Sequence, residues 1–435
     1  MVNDVMIIEI KKEEDLAKIK PENIHCVYLG DDCVHFRAFA LENVNVVCYE
    51  VSDTVQKEIA DAKFRDIINA YPYEIYYLGM GHDVRMRKEY YKPFKRRIKN
   101  AEFYGYRESF GILFDLIKNK TFALTKEDFF SIVKDVTLGH AVGDALGVPV
   151  EFMSRSQIDK SPVSEMRTHP TIDLPKGSWS DDTSMVLCEM DSLAKGEIDY
   201  HEIMQNFSKW YYNNEYTPTG YTFDIGLICM YAIKRYNRGI EPTNCGGTDE
   251  YDNGNGSLMR IFPFALYLYA KDMSVEEKME IIHKASSLTH AHKRSQIACG
   301  IYSFILWKIL DTHNLSGVIE GLLDGLKFYR GEKELNYYLE RFDNLDSKKR
   351  EEIKSAGYVV DTLEASIWCL LNSASYRECV ELAVNLGDDT DTIGAIAGSL
   401  AGALYGEKDI PKSWVNALVK KDEIIKYCKK FSKSK

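Results

Sequence analysis

The sequence predicts a chain in two parts, a small α/β or α+β domain over residues 1–125 followed by a mostly α-helical bundle over residues 126–435. Three observations lead there. Up to about residue 125 the apolar residues come in short runs rich in Val, Ile, Tyr and Cys; beyond it they recur at three- and four-residue spacing over long stretches. Near the C-terminal end Gly394, Gly398, Gly402 and Gly406 repeat every fourth residue, as one face of a helix would. With 435 residues the chain is long enough for two or three domains and at least one large core.

In order along the first part, residues 5–10, 26–29, 33–39, 44–51 and 74–78 alternate or are β-branched and aromatic, and read as strands. Residues 53–70 have helical periodicity, and residues 88–117 read as one or two helices after the Gly79-Met-Gly81 turn. Arg85, Arg87, Lys88, Lys92, Lys95, Arg96, Arg97 and Lys99 crowd this region, interleaved with Tyr90, Tyr91 and Phe94. Such a run is either a solvated helix face or a dock for an acidic protein or nucleic acid.

In the second part, helical spacing covers residues 129–146, 183–194, 200–212, 225–236, 258–270, 275–285, 295–310 and 315–328. It continues over 335–342, 363–371, 376–386 and the stretch after Asp391. Each of the four glycines in that last helix gives up about 1 kcal/mol of helix propensity relative to Ala. Their common face lets another helix backbone come close, which places this helix at the centre of the bundle.

Composition excludes some classes of function. The net charge is -11, and it is uneven: residues 1–125 hold 19 basic and 20 acidic side chains, the rest 36 and 46. An acidic domain that handles an anion needs metal ions or helix N-termini to offset its own field, and nucleic acid is not its expected partner. Ten cysteines show no CxxC or zinc-like spacing, as expected of a reduced, cytoplasmic chain. The opening residues are charged throughout, unlike a signal peptide, and the longest apolar run, residues 392–406, is too short to span a bilayer.

Two acidic knots carry the chemistry. Asn385-Leu-Gly-Asp-Asp-Thr-Asp-Thr-Ile-Gly394 puts Asp388, Asp389 and Asp391 beside an apolar helix, where mutual repulsion calls for a cation such as magnesium, manganese or calcium. Trp179-Ser-Asp-Asp-Thr-Ser-Met185 is the second, at another helix entrance. Either one alone could be a capping arrangement. Brought face to face, they suit a two-metal site with ions roughly 3.5–4 Å apart. Glu151 adds a carboxylate beyond the Gly143-Asp-Ala-Leu-Gly147 turn, and Gly254-Asn-Gly-Ser257 is a glycine-rich loop whose amides, with the Ser257 hydroxyl, can cradle a diphosphate.

The ordered series Gly143-Asp-Ala-Leu-Gly147, Ser180-Asp-Asp-Thr183, Phe223-Asp-Ile-Gly226, Gly254-Asn-Gly-Ser-Leu-Met-Arg260, Thr289-His290 and Gly387-Asp-Asp-Thr-Asp-Thr392 resembles the ADP-ribosylglycohydrolase family. Bacterial members include the dinitrogenase reductase activating glycohydrolases. The resemblance covers residues 130–410, about two thirds of the chain. It implies an all-α fold, two Mg2+ or Mn2+ ions, and removal of ADP-ribose from an ADP-ribosylated protein or small molecule.

Position by position, the resemblance assigns Ser180, Asp181, Asp182, Asp389, Asp391 and Thr392 to the metal shell, with Glu151 near it. It places His290 against the phosphate or ribose; on physical grounds Gly254, Asn255, Gly256 and Ser257 suit the diphosphate, and Asp224 lies in a loop over the site where it could meet a guanidinium. Ser180 stands where the family often has Thr, which keeps the hydroxyl. Asp388 stands where it often has Gly, and its carboxylate is expected to face solvent. Glu151, Asp182 and Asp389 are the candidates for positioning or deprotonating the attacking water, unranked by sequence. Two other readings remain open: a binding or immunity protein that neutralises an ADP-ribosylating toxin, using the pocket or residues 1–125, and a dinuclear metal phosphohydrolase.

Overall fold

The computed structural model describes residues 126–342 and 345–434, together with four strands nearer the N-terminus. The strands β1 (Ile7–Ile10), β2 (Cys26–Gly30), β3 (Val46–Glu50) and β4 (Glu74–Tyr77) form one parallel sheet in the order β1-β3-β2-β4. Val46 lies opposite both Ile7 and Cys26, and Cys26 opposite Glu74. All four fall in runs that the sequence marks by their β-branched and aromatic residues. The run at 33–39, the helical stretches at 53–70 and 88–117, the glycine turn at 79–81 and the basic run at 85–99 lie outside the described residues. Strands and helices fall in separate compact units.

The helical unit begins with α1 (Lys126–Gly147), α2 (Arg155–Ile158), α3 (Asp181–Leu193), α4 (Tyr200–Asn213) and α5 (Leu227–Tyr236). It goes on through α6 (Phe262–Tyr269), α7 (Val275–Ser287), α8 (Lys293–Thr312), α9 (Ser316–Phe328) and α10 (Asn336–Phe342). It ends with α11 (Val359–Leu371), α12 (Tyr376–Val384), α13 (Thr390–Tyr405), α14 (Lys412–Ala417) and α15 (Lys421–Phe431). Side chains cap several of these where the sequence supplies an acceptor: Asp199 accepts the amides of His201 and Glu202, and Ser274 that of Glu277. Among the described residues no helix is long and apolar enough to cross a membrane. The cysteines described, Cys188, Cys229, Cys245, Cys299, Cys369, Cys379 and Cys428, are free thiols and buried.

α13 is the axis of the bundle, with every residue from Thr390 to Gly402 buried. Its partner along the glycine face is α1. A Cβ on Gly143 would run into the carbonyl of Gly394, and one on Gly398 into that of Gly139, so the two backbones touch with no side chain between them. Tyr376 on α12 donates to the Gly139 carbonyl at 2.6 Å, and Tyr302 on α8 meets Ser399 at 2.7 Å, closing the other sides of the axis. Gly406 departs from the expected face: it caps the helix in the left-handed region, at φ 74°.

Three other boundaries differ from the periodicity. Residues 258–261 turn rather than continue α6, because the preceding segment is tied to another loop through Asn255 N to Gly357 O and Val359 N to Asn253 O. For the same reason α11 starts four residues before the expected 363. The C-terminal helices α14 and α15 went unread, although Ile424, Cys428 and Phe431 bury one face of α15 at helical spacing.

If the α1–α13 contact sets the fold, Gly143→Ala should lower the unfolding free energy in urea by about 1–3 kcal/mol, the usual cost of overpacking. Gly226→Ala, where an added Cβ meets nothing within 4 Å, should stay within about 0.5 kcal/mol of the parent. Equal effects at the two positions would contradict this role of α1 and α13.

Candidate active site

The glycine contact carries the C-terminal end of α1 to the N-terminal end of α13. Gly147 sits against the backbone of Asp391, and Thr390 Oγ1 donates to the Gly147 carbonyl at 2.9 Å. The chain leaving α1 then doubles back onto the approach to α13, with Phe152 N to Asp388 O at 2.7 Å and Asp388 N to Met153 O at 2.8 Å. Gly387 and Asp388, at φ 85° and 59°, make that turn in the left-handed region, and Asp388 is exposed beside Ser355.

Asp144, near the end of α1, fixes the start of α3. Its Oδ1 accepts Ser180 N at 2.9 Å; its Oδ2 accepts Thr183 N at 3.1 Å and Thr183 Oγ1 at 2.6 Å. Ser180 caps the helix through the Asp182 amide. Across the gap, Thr392 Oγ1 donates to Asp182 Oδ1 at 3.3 Å, so the two acidic knots meet at the helix starts of α3 and α13.

Two carboxylate groups result. Asp144, Asp182 and Asp391 place one oxygen each within 4.8 Å of one another, and so do Glu151, Asp389 and Asp391. Asp391 is common to both, and its buried Oδ1 has no hydrogen-bond partner. Asp181 lies outside both groups, its carboxyl set against Asp224 and the Gly226 backbone. Burial raises the pKa of Asp144, Glu151, Asp181, Asp182, Asp389 and Asp391. Asp181, Asp182 and Asp391 are held well above the usual carboxylate range, and Asp144 is pushed up to about 7. Glu151 is pushed up to about 10 by burial and by Asp224, with which it shares a hydrogen bond. Acids so placed either keep protons or share a cation. The donor set is carboxylate and hydroxyl oxygen, which selects hard cations such as Mg2+ or Mn2+, and the orphaned Asp391 oxygen fits one.

The glycine-rich loop lies on the other side of Asp389. Asn255 Nδ2 donates to Asp389 Oδ2 at 2.6 Å and to Thr362 Oγ1 at 3.0 Å. Gly254 and Gly256 face His290: an added Cβ would stand 3.4 Å from Nε2 at Gly254 and 2.9 Å from Cε1 at Gly256. His290 is buried and its pKa falls to about 3, through burial and the nearby Arg260 cation. Arg260, ion-paired with Glu189 in the core, donates to Thr289 Oγ1 at 2.7 Å, and the same hydroxyl meets His290 Nδ1 at 2.9 Å, which orients the ring with Nε2 toward the loop. Ser257 faces inward instead, its hydroxyl taken by Ser286 and Cys299. Asp224 is half-buried at φ 50°, beside Glu151.

Asp144 and Thr183 stand within sequence motifs that assign neither of them a role, and Ser355 and Thr362 lie outside every motif. Asp144 had a readable signal, an acid between two close-approach glycines. Thr362 had none, since its partner Asn255 is 107 residues away.

The family model described as ADP-ribosylglycohydrolase matches residues 125–435. The ADP-ribosylarginine hydrolase Tri1 of Serratia proteamaculans (strain 568) is 32% identical over 292 residues, covering 67% of this chain and 76% of that protein. The ADP-ribosyl-(dinitrogen reductase) glycohydrolase of Rhodospirillum rubrum is 33% identical over 289 residues, 66% and 90% of the two chains. Among solved structures, a chain of an ADP-ribosylglycohydrolase-related protein complex superposes with a TM-score of 0.60 at 29% identity, covering 71% of this chain and all of that one.

Raised carboxyl pKa values fix the sign of a pH effect. Asp144 moves from 3.8 to about 7 and Glu151 from 4.5 to about 10 on folding, so above pH 4 the folded, metal-free state holds more protons than the unfolded one. Its stability therefore falls as pH rises through that window. The melting temperature in EDTA should drop between pH 5 and pH 8, and saturating Mn2+, which displaces those protons, should raise it more at pH 8 than at pH 5. A Mn2+ shift independent of pH would contradict the cluster described.

Proposed function

The chain belongs to the ADP-ribosylglycohydrolase family over residues 125–435, and from that premise we propose that it is a metal-dependent hydrolase releasing ADP-ribose from a modified acceptor, with a guanidinium as the preferred one. The observation that carries the reading is the pair of buried carboxylate groups joined at Asp391, which only a divalent cation pair or a set of trapped protons can neutralise. Asp182, Asp389 and Asp391, with the hydroxyls of Ser180 and Thr392 and with Glu151 beside Asp389 and Asp391, would hold two Mg2+ or Mn2+ ions, and Asp181 would join them by turning from Asp224. When bound, the ions supply Lewis-acid stabilisation of charge on ribose hydroxyls and lower the pKa of a bound water.

The chain's own groups supply the rest. The amides of Gly254 and Gly256 suit the diphosphate, which needs donors rather than a second set of acids, and neutral His290 beside them donates when its proton is on Nε2. Asp224, half-buried beside Glu151, can accept from a guanidinium in a charge-assisted pair. In the hydrolysis the bond from the anomeric carbon to the acceptor nitrogen breaks with its electron pair going to the nitrogen, the carbon gains the oxygen of water, and the water's proton passes to a carboxylate and from there to the released nitrogen. Glu151, Asp182 and Asp389 are the candidates for that proton. The arginine preference is supported by the similarity to the Tri1 relative, an ADP-ribosylarginine hydrolase.

Incubation with an ADP-ribosylated arginine peptide and Mn2+ should give ADP-ribose and the unmodified peptide by mass spectrometry, and EDTA should abolish the reaction. Asp182→Ala and Asp391→Ala should each lower the rate by about 100-fold or more. Release of phosphate or AMP would overturn the reading in favour of a phosphohydrolase.

A second reading concerns residues 1–125 as a domain of their own, because the family match leaves residues 1–124 uncovered. On this reading they dock a protein partner, an ADP-ribosylating toxin among the possibilities, through the basic and aromatic run at 85–99. Capture of a purified ADP-ribosylating enzyme by the full chain, lost with Arg96→Glu and Arg97→Glu while hydrolase activity stays, is the expected result; equal capture by both chains counts against it.

A further inference from the structure

Asp389 is held from outside the acidic knots. Its amide donates to the Ser355 carbonyl at 3.0 Å, and its Oδ2 accepts the Asn255 amide group at 2.6 Å. The same Asn255 nitrogen donates to Thr362 Oγ1, and Asn255 N donates to the Gly357 carbonyl at 3.1 Å. Thr362 is fully buried and its hydroxyl lies 3.2 Å from Ala356 O and 3.3 Å from Tyr358 O, so its proton goes to that turn and its lone pairs face Asn255. Gly357 closes the arrangement, because a Cβ there would stand 3.0 Å from Asp389 Oδ2.

From this geometry we infer that residues 355–362 form a strut that orients Asp389, with Thr362 as a positioning residue acting through Asn255. The inference rests on the metal-binding reading of Asp389. Asn255 spends both amide protons on the strut and the carboxylate, so Asp389 Oδ2 is pinned and Oδ1 is left to turn toward Asp391 and a cation. A carboxylate ligand with one oxygen fixed in this way loses less freedom on binding metal. Thr362 touches neither substrate nor metal. Its effect should appear in metal affinity.

The test is Mn2+ binding by the full chain, followed by calorimetry and by the loss of the free-ion electron paramagnetic resonance signal. Thr362→Val keeps the shape and removes the acceptor, and should weaken Mn2+ binding by roughly 10-fold, the lower end for loss of a group that orients a metal ligand. Thr362→Ser should bind within about twofold of the parent, since the acceptor returns. On an Asn255→Ala background, Thr362→Val should add no further loss. Gly357→Ala, which crowds Asp389 and leaves every hydrogen-bonding group in place, should weaken Mn2+ binding as well and serves if Thr362→Val does not fold. Parent-like binding by Thr362→Val, or a loss undiminished on the Asn255→Ala background, overturns the strut and leaves the metal reading standing. A parent chain that binds no Mn2+ overturns both.

Discussion

Backbone meets backbone where α1 passes α13, and that contact sets the position of almost everything else in the helical unit. Gly139 and Gly143 on one helix and Gly394 and Gly398 on the other remove the side chains that normally hold helices apart. The cost in helix propensity is offset only if both helices are buried, and they are. Such close approach leaves little room for sliding or rotation, so the end of α1 and the start of α13 are registered to within an atom's width. Asp144 and Asp391 inherit that register: one reaches across to the start of α3, the other begins α13. A site that needs acids on three separate helices in one small volume is thereby built from the most rigid part of the fold.

Gathering acids there conflicts with electrostatics. Asp182 and Asp391 are almost wholly buried, and their neighbours are further acids rather than lysines or arginines. The buried guanidinium of Arg260 is engaged with Glu189 and Thr289, the residue next to His290. A fold selected for stability alone would pair such carboxylates or replace them with apolar residues. Leaving them together, with one Asp391 oxygen unpartnered, makes sense where divalent cations complete the charge balance. The glycine-rich loop on the other side of Asp389 shows the opposite chemistry, with glycine amides and a buried, neutral histidine.

Much of this was legible in the residues. The two acidic knots are local in sequence, and each is a helix entrance recognisable from its own hydroxyls and carboxylates. Four-residue glycine spacing disclosed the buried axis, and six ordered motifs identified the family. Other parts were legible but passed over: the amphipathic face of α15, and the acid of the Gly143-Asp-Ala-Leu-Gly147 turn. Ser257 was a reasonable phosphate contact by its place in the loop, yet its hydroxyl turns into the core, because the backbone between Asn253 and Asn255 is tied to residues 357–359 and α6 starts late. The exposed position of Asp388 follows from the left-handed turn at Gly387 and Asp388.

What the sequence by itself determined is the chemistry available: which residues are acids, which helix starts carry them, and which face lets a backbone approach, since each is set by neighbours within a turn or two. Tertiary structure alone decided which acids meet. That Asp391 is shared between two carboxylate groups, that Asp181 lies beside Asp224, and that Asn255 and Thr362 hold Asp389 are contacts between residues far apart in the chain, 43 residues for Asp181 and Asp224 and 134 for Asn255 and Asp389. No local periodicity encodes them; they follow from two helices packed closely enough that their ends have only one place to go.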